Sequence, residues 1–376
     1  HCHPRIAAAI AQQAGTLDQL IFAGYTHEPA EEVARGLIAL APRADNQPKL
    51  AHVFYSDSGS TAVEVALKMA LGYWHNLALD GAAQPRSRIL VLEHSYHGDT
   101  IGAMSVGERG VYNAAWTPLL FDVDTIPFPA PGREQACLDA LEAACARHPA
   151  GFVIEPLILG AGGMFVYSAD VLREMAAICR RHGVLFIADE VMTGWGRTGT
   201  IFACEQAGVV PDIMAVAKGI TGGSIPLAAT LATAPIFAAH HSTDRARLFY
   251  HSSSYTANPI ACAAANANLA IWREEPVRER IATLSQRQTE RLATLARHPA
   301  VRNPRQLGTI TAVDVGAAEG YLSDLAPKML AMFRERGVLL RPLGNTVYVM
   351  PPYCISEEQL DAVYTAIDEV IDRGGG

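Results

Sequence analysis

Two short apolar runs end on residues that can do chemistry. Val184–Ala188 runs into Asp189 and Glu190, and Ile213–Ala217 runs into Lys218, which follows Asp189 by 29 residues. Such runs are long enough for buried parallel strands and too short for helices. In open α/β sheets, ligands gather just outside the carboxyl ends of the strands, so an acid and an amine would face one pocket. A lysine pressed there against apolar neighbours can lose its proton and attack a carbonyl. An aspartate opposite a pyridinium nitrogen is the usual partner when that carbonyl belongs to pyridoxal phosphate. The plainer reading of Lys218 is a solvated loop residue. Against that stands the glycine-rich turn from Gly219 to Pro226, which lets backbone approach a ligand closely.

Asp189-Glu190, the 29-residue interval and Lys218-Gly219 in such a turn resemble the signature of the class III aminotransferases, of fold type I. The resemblance covers nearly the whole chain. It implies an α/β protein whose large domain, residues 21–272, holds a mostly parallel seven-stranded sheet. A smaller α+β domain would join residues 1–20 with 273–376. It implies pyridoxal 5'-phosphate as cofactor, carried covalently by Lys218. Asp189 would keep the pyridine nitrogen protonated, and the freed Lys218 would shuttle a proton. It also implies that several dozen residues precede an element like His1-Cys2-His3-Pro4, so the chain would begin partway into the protein.

Other motifs fall in line. A strand at His52–Tyr55 runs into Ser56–Ser60 and a helix from about Thr61 to Trp74, with Thr61 and Glu64 at capping-box spacing. Small residues at a helix start leave N–H groups and hydroxyls free for a phosphate, and an ordinary serine cap explains them equally well. The resemblance favours the phosphate, with Gly59 and Ser60 at the matching places. After the buried run Ile89–Leu92 come Tyr96 and His97, then Gly98. An aromatic beside a glycine can lie flat on a planar ring or simply pack in a surface loop. The resemblance puts Tyr96 on the pyridine ring and His97 beside the cofactor. A polar loop capping a helix is the plainer reading of Ser252-Ser253-Ser254, where relatives usually have Gly-Pro-Thr. The resemblance implies that Ser254 would keep the hydroxyl that serves the neighbouring subunit's phosphate and that Ser252 would face substrate. That implies a homodimer with shared sites. Arg341, before Pro342, can clamp a carboxylate bidentately.

Tyr96-His97-Gly98 and Arg341-Pro342 followed by Pro351-Pro352-Tyr353 resemble the branch of the family that makes 7,8-diaminopelargonate in biotin synthesis. This implies 8-amino-7-oxononanoate as acceptor and S-adenosylmethionine or lysine as donor. The branch rival is another ω-aminotransferase acting on a diamine or a β- or ω-amino acid. A rival of another class comes from Gly194–Gly199, which spells GxGxxG after a strand and would mean a nicotinamide-dependent oxidoreductase. Two carboxylates between strand and turn would repel a pyrophosphate, however, and no long helix opens at the glycines. The family resemblance instead places this turn, with Arg197, at the substrate entrance. Leu159 stands where relatives carry a glutamine, so no polar role falls to it.

The remaining elements follow from periodicity and breakers. Helices are expected at 1–20, Glu31–Leu40, Gln135–Ala146, Val171–His182, Ile260–Trp272, Val277–Ala296, Tyr321–Arg336 and Glu357–Arg373. Strands are expected at Phe152–Ile154, Ile225–Thr233, Thr309–Val315, Val338–Arg341 and Val347–Met350, and Phe121–Pro131 reads as a loop. The 376 residues are 50% hydrophobic, with a net charge of −8. They can bury a large core, and scattered basic residues argue against nucleic acid. No apolar run reaches membrane-spanning length, and the first residues do not read as a signal peptide. Seven separated cysteines without CxxC argue for free thiols in a reducing cytoplasm rather than a zinc site or disulfide framework.

Overall fold

The computed structural model describes residues 1–111, 113–316 and 325–374. Its main sheet has seven strands: β1 (Leu50–Ser56), β2 (Ile89–Leu92), β3 (Asp124–Ile126), β4 (Gly151–Ile154), β7 (Leu185–Asp189), β8 (Ile213–Val216) and β9 (Ala228–Thr233). Between β4 and β7 lies a short hairpin of β5 (Ile158–Leu159) and β6 (Phe165–Val166). The spatial order is β1-β9-β8-β7-β4-β2-β3. Only β9 runs against the others, pairing antiparallel with both β1 and β8. The four central strands β2, β4, β7 and β8 are buried along their whole length. A sheet covered on both faces needs apolar residues at every position, which is why these strands read as unbroken runs rather than alternations.

Helices cover both faces. On one, Ala62, Val63 and Ala66 of the helix Gly59–Leu79 pack on Val91, Ile187 and Ala215. On the other, Leu172 and Met175 of the helix Ala169–Arg181 meet Phe152, Ile154 and Phe186. That second helix ends where expected, with Gly183 at φ 59°. The helix Pro4–Ala14 lays Ile6 against Ala264, Ile271 and Ile281. It is shorter than the 1–20 expected, because the chain leaves it at Gly15.

A second, antiparallel sheet is built from β10 (Val301–Leu307), β11 (Ile310–Val315) and β12 (Thr346–Val349). Its core joins Val313, Val347, Phe333 and Ile367, supplied by the sheet and the helices Leu325–Glu335 and Glu357–Gly374. Residues 321–324 of the expected helix Tyr321–Arg336 lie outside the described residues. One expectation changes here, and one strand was not expected. Val338–Arg341 is not a strand but an extended loop, with Leu339 fully in solvent. β10, which contains Pro304, is an edge strand, where a residue without an N–H is tolerated. In the first sheet, β3 also lies at an edge, inside the stretch read as a loop.

Candidate active site

Four adjacent parallel strands open on one edge of the main sheet and deliver the chemistry there. Tyr96 and His97 follow β2, Glu155 follows β4, Asp189 ends β7, and Lys218 lies just past β8. All five line a cleft of about 460 Å³, together with Gly59, Ser60, Asp99 and Arg341. The expected cluster is therefore assembled in three dimensions, apart from Ser252 and Ser254. Both serines are exposed and lie outside the cleft of their own chain. The loop carrying them is tied down elsewhere: Ser253 Oγ donates to Asp57, and the Ser254 carbonyl accepts from Gln19.

Asp189 and Glu190 part company at the end of β7. Asp189 Oδ2 lies 2.8 Å from His97 Nδ1, and its Oδ1 accepts the Val191 N–H at 3.0 Å. His97 is wholly buried. Burial works against its charge, but the hydrogen bond and charge of Asp189, with Glu155 nearby, hold its pKa above the ordinary value. Glu190 points away from the cleft. It accepts the hydroxyl of Thr193 and the N–H groups of Ala203 and Cys204, the latter two at 3.0 and 2.9 Å. Burial pushes its carboxyl up, and the three donors only partly offset that.

Lys218 opens a single 3₁₀ turn with φ 46°, a left-handed conformation that is uncommon for a side chain bearing a Cβ. Gly219 is forced: a Cβ there would come within 2.5 Å of the Trp195 ring. Lys218 is exposed rather than pressed among apolar side chains, and it lines both the cleft and a neighbouring chamber of about 290 Å³. Apolar side chains line the cleft as well, among them Met164, Met192, Leu343 and Met350. Arg341 reaches the cleft from the loop before β12, beside Tyr348.

The helix Gly59–Leu79 starts two residues earlier than expected. Its capping box pairs Ser58 with Thr61, each side chain bonding the other's N–H at 3.2 and 3.0 Å. Glu64 is used differently: its Oε1 accepts from Thr100, Gly102 and Ala103, anchoring the loop behind Tyr96. Gly98 is the second forced glycine, since a Cβ there would sit 2.0 Å from Ser60 Oγ. Tyr96 is 39% exposed and donates its hydroxyl to Asp99 at 2.8 Å. Burial, then that hydrogen bond, raises its pKa to about 12.

The Gly194–Gly199 turn holds no dinucleotide geometry. It closes on itself through Gly199 N–H to Gly196 C=O at 3.1 Å, and the next helix, Cys204–Ala207, has four residues. A pyrophosphate site needs glycines that open a long helix. Arg197 stacks its guanidinium 4.6 Å from the Tyr353 ring and donates to the Pro351 carbonyl at 2.6 Å, facing the neighbouring chamber.

Glu155, Asp99 and Met192 are among the cleft residues that the sequence did not single out as site residues. Glu155 follows a buried run, as Asp189 does, and that signal could have found it. Asp99 and Met192 sit in loops whose direction no periodicity reveals.

The chain can be set beside known proteins on these features. The profile of the family described as aminotransferase class-III matches residues 1–371. The chain belongs to the class III aminotransferases. An adenosylmethionine-8-amino-7-oxononanoate aminotransferase of Synechococcus elongatus is 47% identical over 383 residues, covering 99% of this chain and 88% of that protein. The enzyme of the same name from Nitratidesulfovibrio vulgaris is 40% identical, covering 96% and 69%. Among solved structures, the Methanocaldococcus jannaschii enzyme of that name superposes with a TM-score of 0.92 at 30% identity, covering 100% of this chain and 86% of that one. An amine transaminase from an uncultivated Pseudomonas species, solved in its PLP-bound form, gives 0.90 at 32% identity, with 100% and 88% covered. The α/β fold and pyridoxal phosphate as cofactor follow for this aminotransferase.

The residues present fit that cofactor. A buried carboxylate suits a protonated pyridine nitrogen, and the helix start at Gly59 and Ser60 suits a phosphate. Tyr96 and Lys218 line the same cleft.

Proposed function

We propose that this aminotransferase converts 8-amino-7-oxononanoate to 7,8-diaminononanoate in biotin synthesis, with S-adenosylmethionine as amino donor. One observation in the structure carries the choice: Arg341 lines the same cleft as Lys218, and Met164, Met192, Leu343 and Met350 line it with them. An acceptor with a carboxylate far from its reacting carbonyl needs a distant cation and an apolar wall between. A small α-keto acid needs its carboxylate gripped beside the carbonyl. The names of the relatives above support the same reading.

Bound pyridoxal phosphate supplies an electron sink for breaking a bond at the amine-bearing carbon. The chain's residues do the rest. Lys218 anchors the cofactor and, once freed, moves the proton at that carbon. Asp189, fixed by His97 and the Val191 N–H, holds a proton on the ring nitrogen. Tyr96 sets the ring plane, and Gly59 and Ser60 take the phosphate at the helix start. Arg341 binds the acceptor's carboxylate, and Arg197 with Tyr353 shapes the entrance. Residues 21–272 form the cofactor-binding domain, and residues 1–20 with 273–376 form the small domain.

Ser254 completes the phosphate site of a second subunit, and Ser252 faces that subunit's substrate, so the working unit is a homodimer with two-fold contacts. Support comes from the loop's exposure on its own chain. Sedimentation of an active monomer at assay concentration would refute this. The compartment is the cytoplasm, a reading supported by seven unpaired thiols, five of them buried. Among the described residues no helix is long and apolar enough to cross a membrane. The deciding assay supplies 8-amino-7-oxononanoate with S-adenosylmethionine or lysine and follows the diamine. No product with either donor, alongside turnover of a diamine with a keto acid, would favour the general ω-aminotransferase.

A further inference from the structure

Glu155 is a buried carboxylate in the cleft to which the reaction above gives no task. It is 5% exposed, follows β4 directly, and has no arginine or lysine against it in any hydrogen bond or ion pair among the described residues. Its two oxygens go to two different loops. Oε1 accepts the N–H of Tyr96 at 3.0 Å, and Oε2 accepts the N–H of Gly160 at 3.0 Å. Its own carbonyl accepts the Tyr167 hydroxyl at 2.8 Å, which fixes the stem from which the side chain projects. The Gly160 loop has little room to move. A Cβ at Gly160 would meet Met192 Sδ at 2.3 Å, and one at Gly162 would meet the His94 carbonyl at 2.1 Å.

We propose that Glu155 is a positioning residue for transamination: by accepting both N–H groups at once, its carboxylate staples the Tyr96 loop to the Gly160 turn and so fixes the aromatic wall of the cleft. An ionised carboxylate has acceptor sites for both bonds, whereas a protonated one turns one oxygen into a donor. A donor facing an N–H repels it, so protonation opens one of the two contacts.

The surroundings make that proton matter near neutrality. Burial, with the charge of Asp189 added, raises the Glu155 pKa to about 7 against the opposing pull of His97 and the two N–H donors. The groups facing it are His97 and Tyr96 from the β2 loop, Asp189 from β7, and Tyr167 beyond β6. The staple therefore closes as pH rises through about 7. Tyr96 serves donor and acceptor alike, so loosening it affects both half-reactions.

The test uses the holoenzyme of Glu155→Gln and Glu155→Asp. The inference rests on the aminotransferase assignment but not on the identity of the acceptor, so any amine that converts the bound cofactor serves as donor. The first readout is amide hydrogen exchange of the peptides carrying Tyr96 and Gly160. Glu155→Gln should speed exchange at one or both, by roughly tenfold or more for a lost bond to a charged acceptor. The second is the pH dependence of the single-turnover rate. The wild type should show an acid limb near pH 7, and Glu155→Gln should lose that limb along with roughly 10- to 100-fold of kcat, nearly equally in both half-reactions. Glu155→Asp keeps the charge but not the reach. It should keep the limb while losing rate, and it stands in if the glutamine variant does not fold. Wild-type exchange at both amides, or an acid limb that persists in Glu155→Gln, would overturn the proposal. A failure of the biotin-pathway assignment would leave both readouts unchanged.

Discussion

Asp189 and Glu190 are neighbours of the same chemical kind at the end of one strand, yet they do opposite work. Asp189 faces the cleft, 2.8 Å from the His97 imidazole. Glu190 faces the protein, closed in by the Thr193 hydroxyl and the Ala203 and Cys204 N–H groups. Successive side chains on a strand point to opposite sides, so a carboxylate pair at a strand end must divide between two environments. The lesson is that burial alone does not mark a catalytic acid. Asp189 is paired with a titratable group in a cavity, while Glu190 is saturated by groups that cannot titrate near neutrality.

The sharpest break in this comparison is on the catalytic side. If Lys218 is both anchor and proton carrier, as proposed, Lys218→Ala should lower turnover by several orders of magnitude, with folding retained because Lys218 is exposed. Near-normal turnover would sink the assignment of the cleft. Next comes the pair itself. Asp189→Asn should cost about 10²–10⁴-fold in kcat with little change in urea midpoint. Glu190→Gln should do the reverse, losing about 1–3 kcal/mol of stability while each folded molecule keeps most of its activity. If both variants lost activity alike at equal stability, the division drawn here would be wrong.

Arg341→Ala extends the contrast to another residue of the cleft. It should lower kcat/KM by about one to two decades in the acceptor half-reaction only. Single-turnover kinetics of each half separately reads this, and equal loss in both would make Arg341 structural or shared. Titration supplies a further arm. The folded chain holds the Glu155 proton up to about pH 7, whereas an unfolded chain sheds it near pH 4.3. A carboxyl raised in this way stabilises the fold fully below the unfolded value and loses that contribution as pH climbs to the folded one. Urea unfolding at pH 5 and pH 7 should thus show the wild type losing a few kcal/mol more than Glu155→Gln. The smallest effect concerns Ser254→Ala, which should weaken cofactor binding by about tenfold if the hydroxyl serves a neighbour's phosphate. Titration of apoprotein with cofactor checks it, and unchanged affinity would return the loop to a purely structural role.

The sequence by itself determined the central sheet and the identity of the main chemical groups. Ile89–Leu92 matches its strand end for end, and Asp189, Lys218, Tyr96 and Gly59 all reach the cleft. Local patterns carry these features because a buried parallel strand needs an uninterrupted apolar run, and a loop follows where the run stops. Edge strands such as β3 and β10 were not legible, since one open side relaxes the apolar requirement and tolerates Pro304. Tertiary structure alone decided direction. Which of two adjacent carboxylates faces the cleft, that Glu64 braces the Tyr96 loop instead of capping its own helix, and that Glu155 spans two loops depend on contacts between residues 5 to 92 positions apart. Hydrogen-bond geometry across such separations is set by how strands stack in space, and no periodicity along the chain records it.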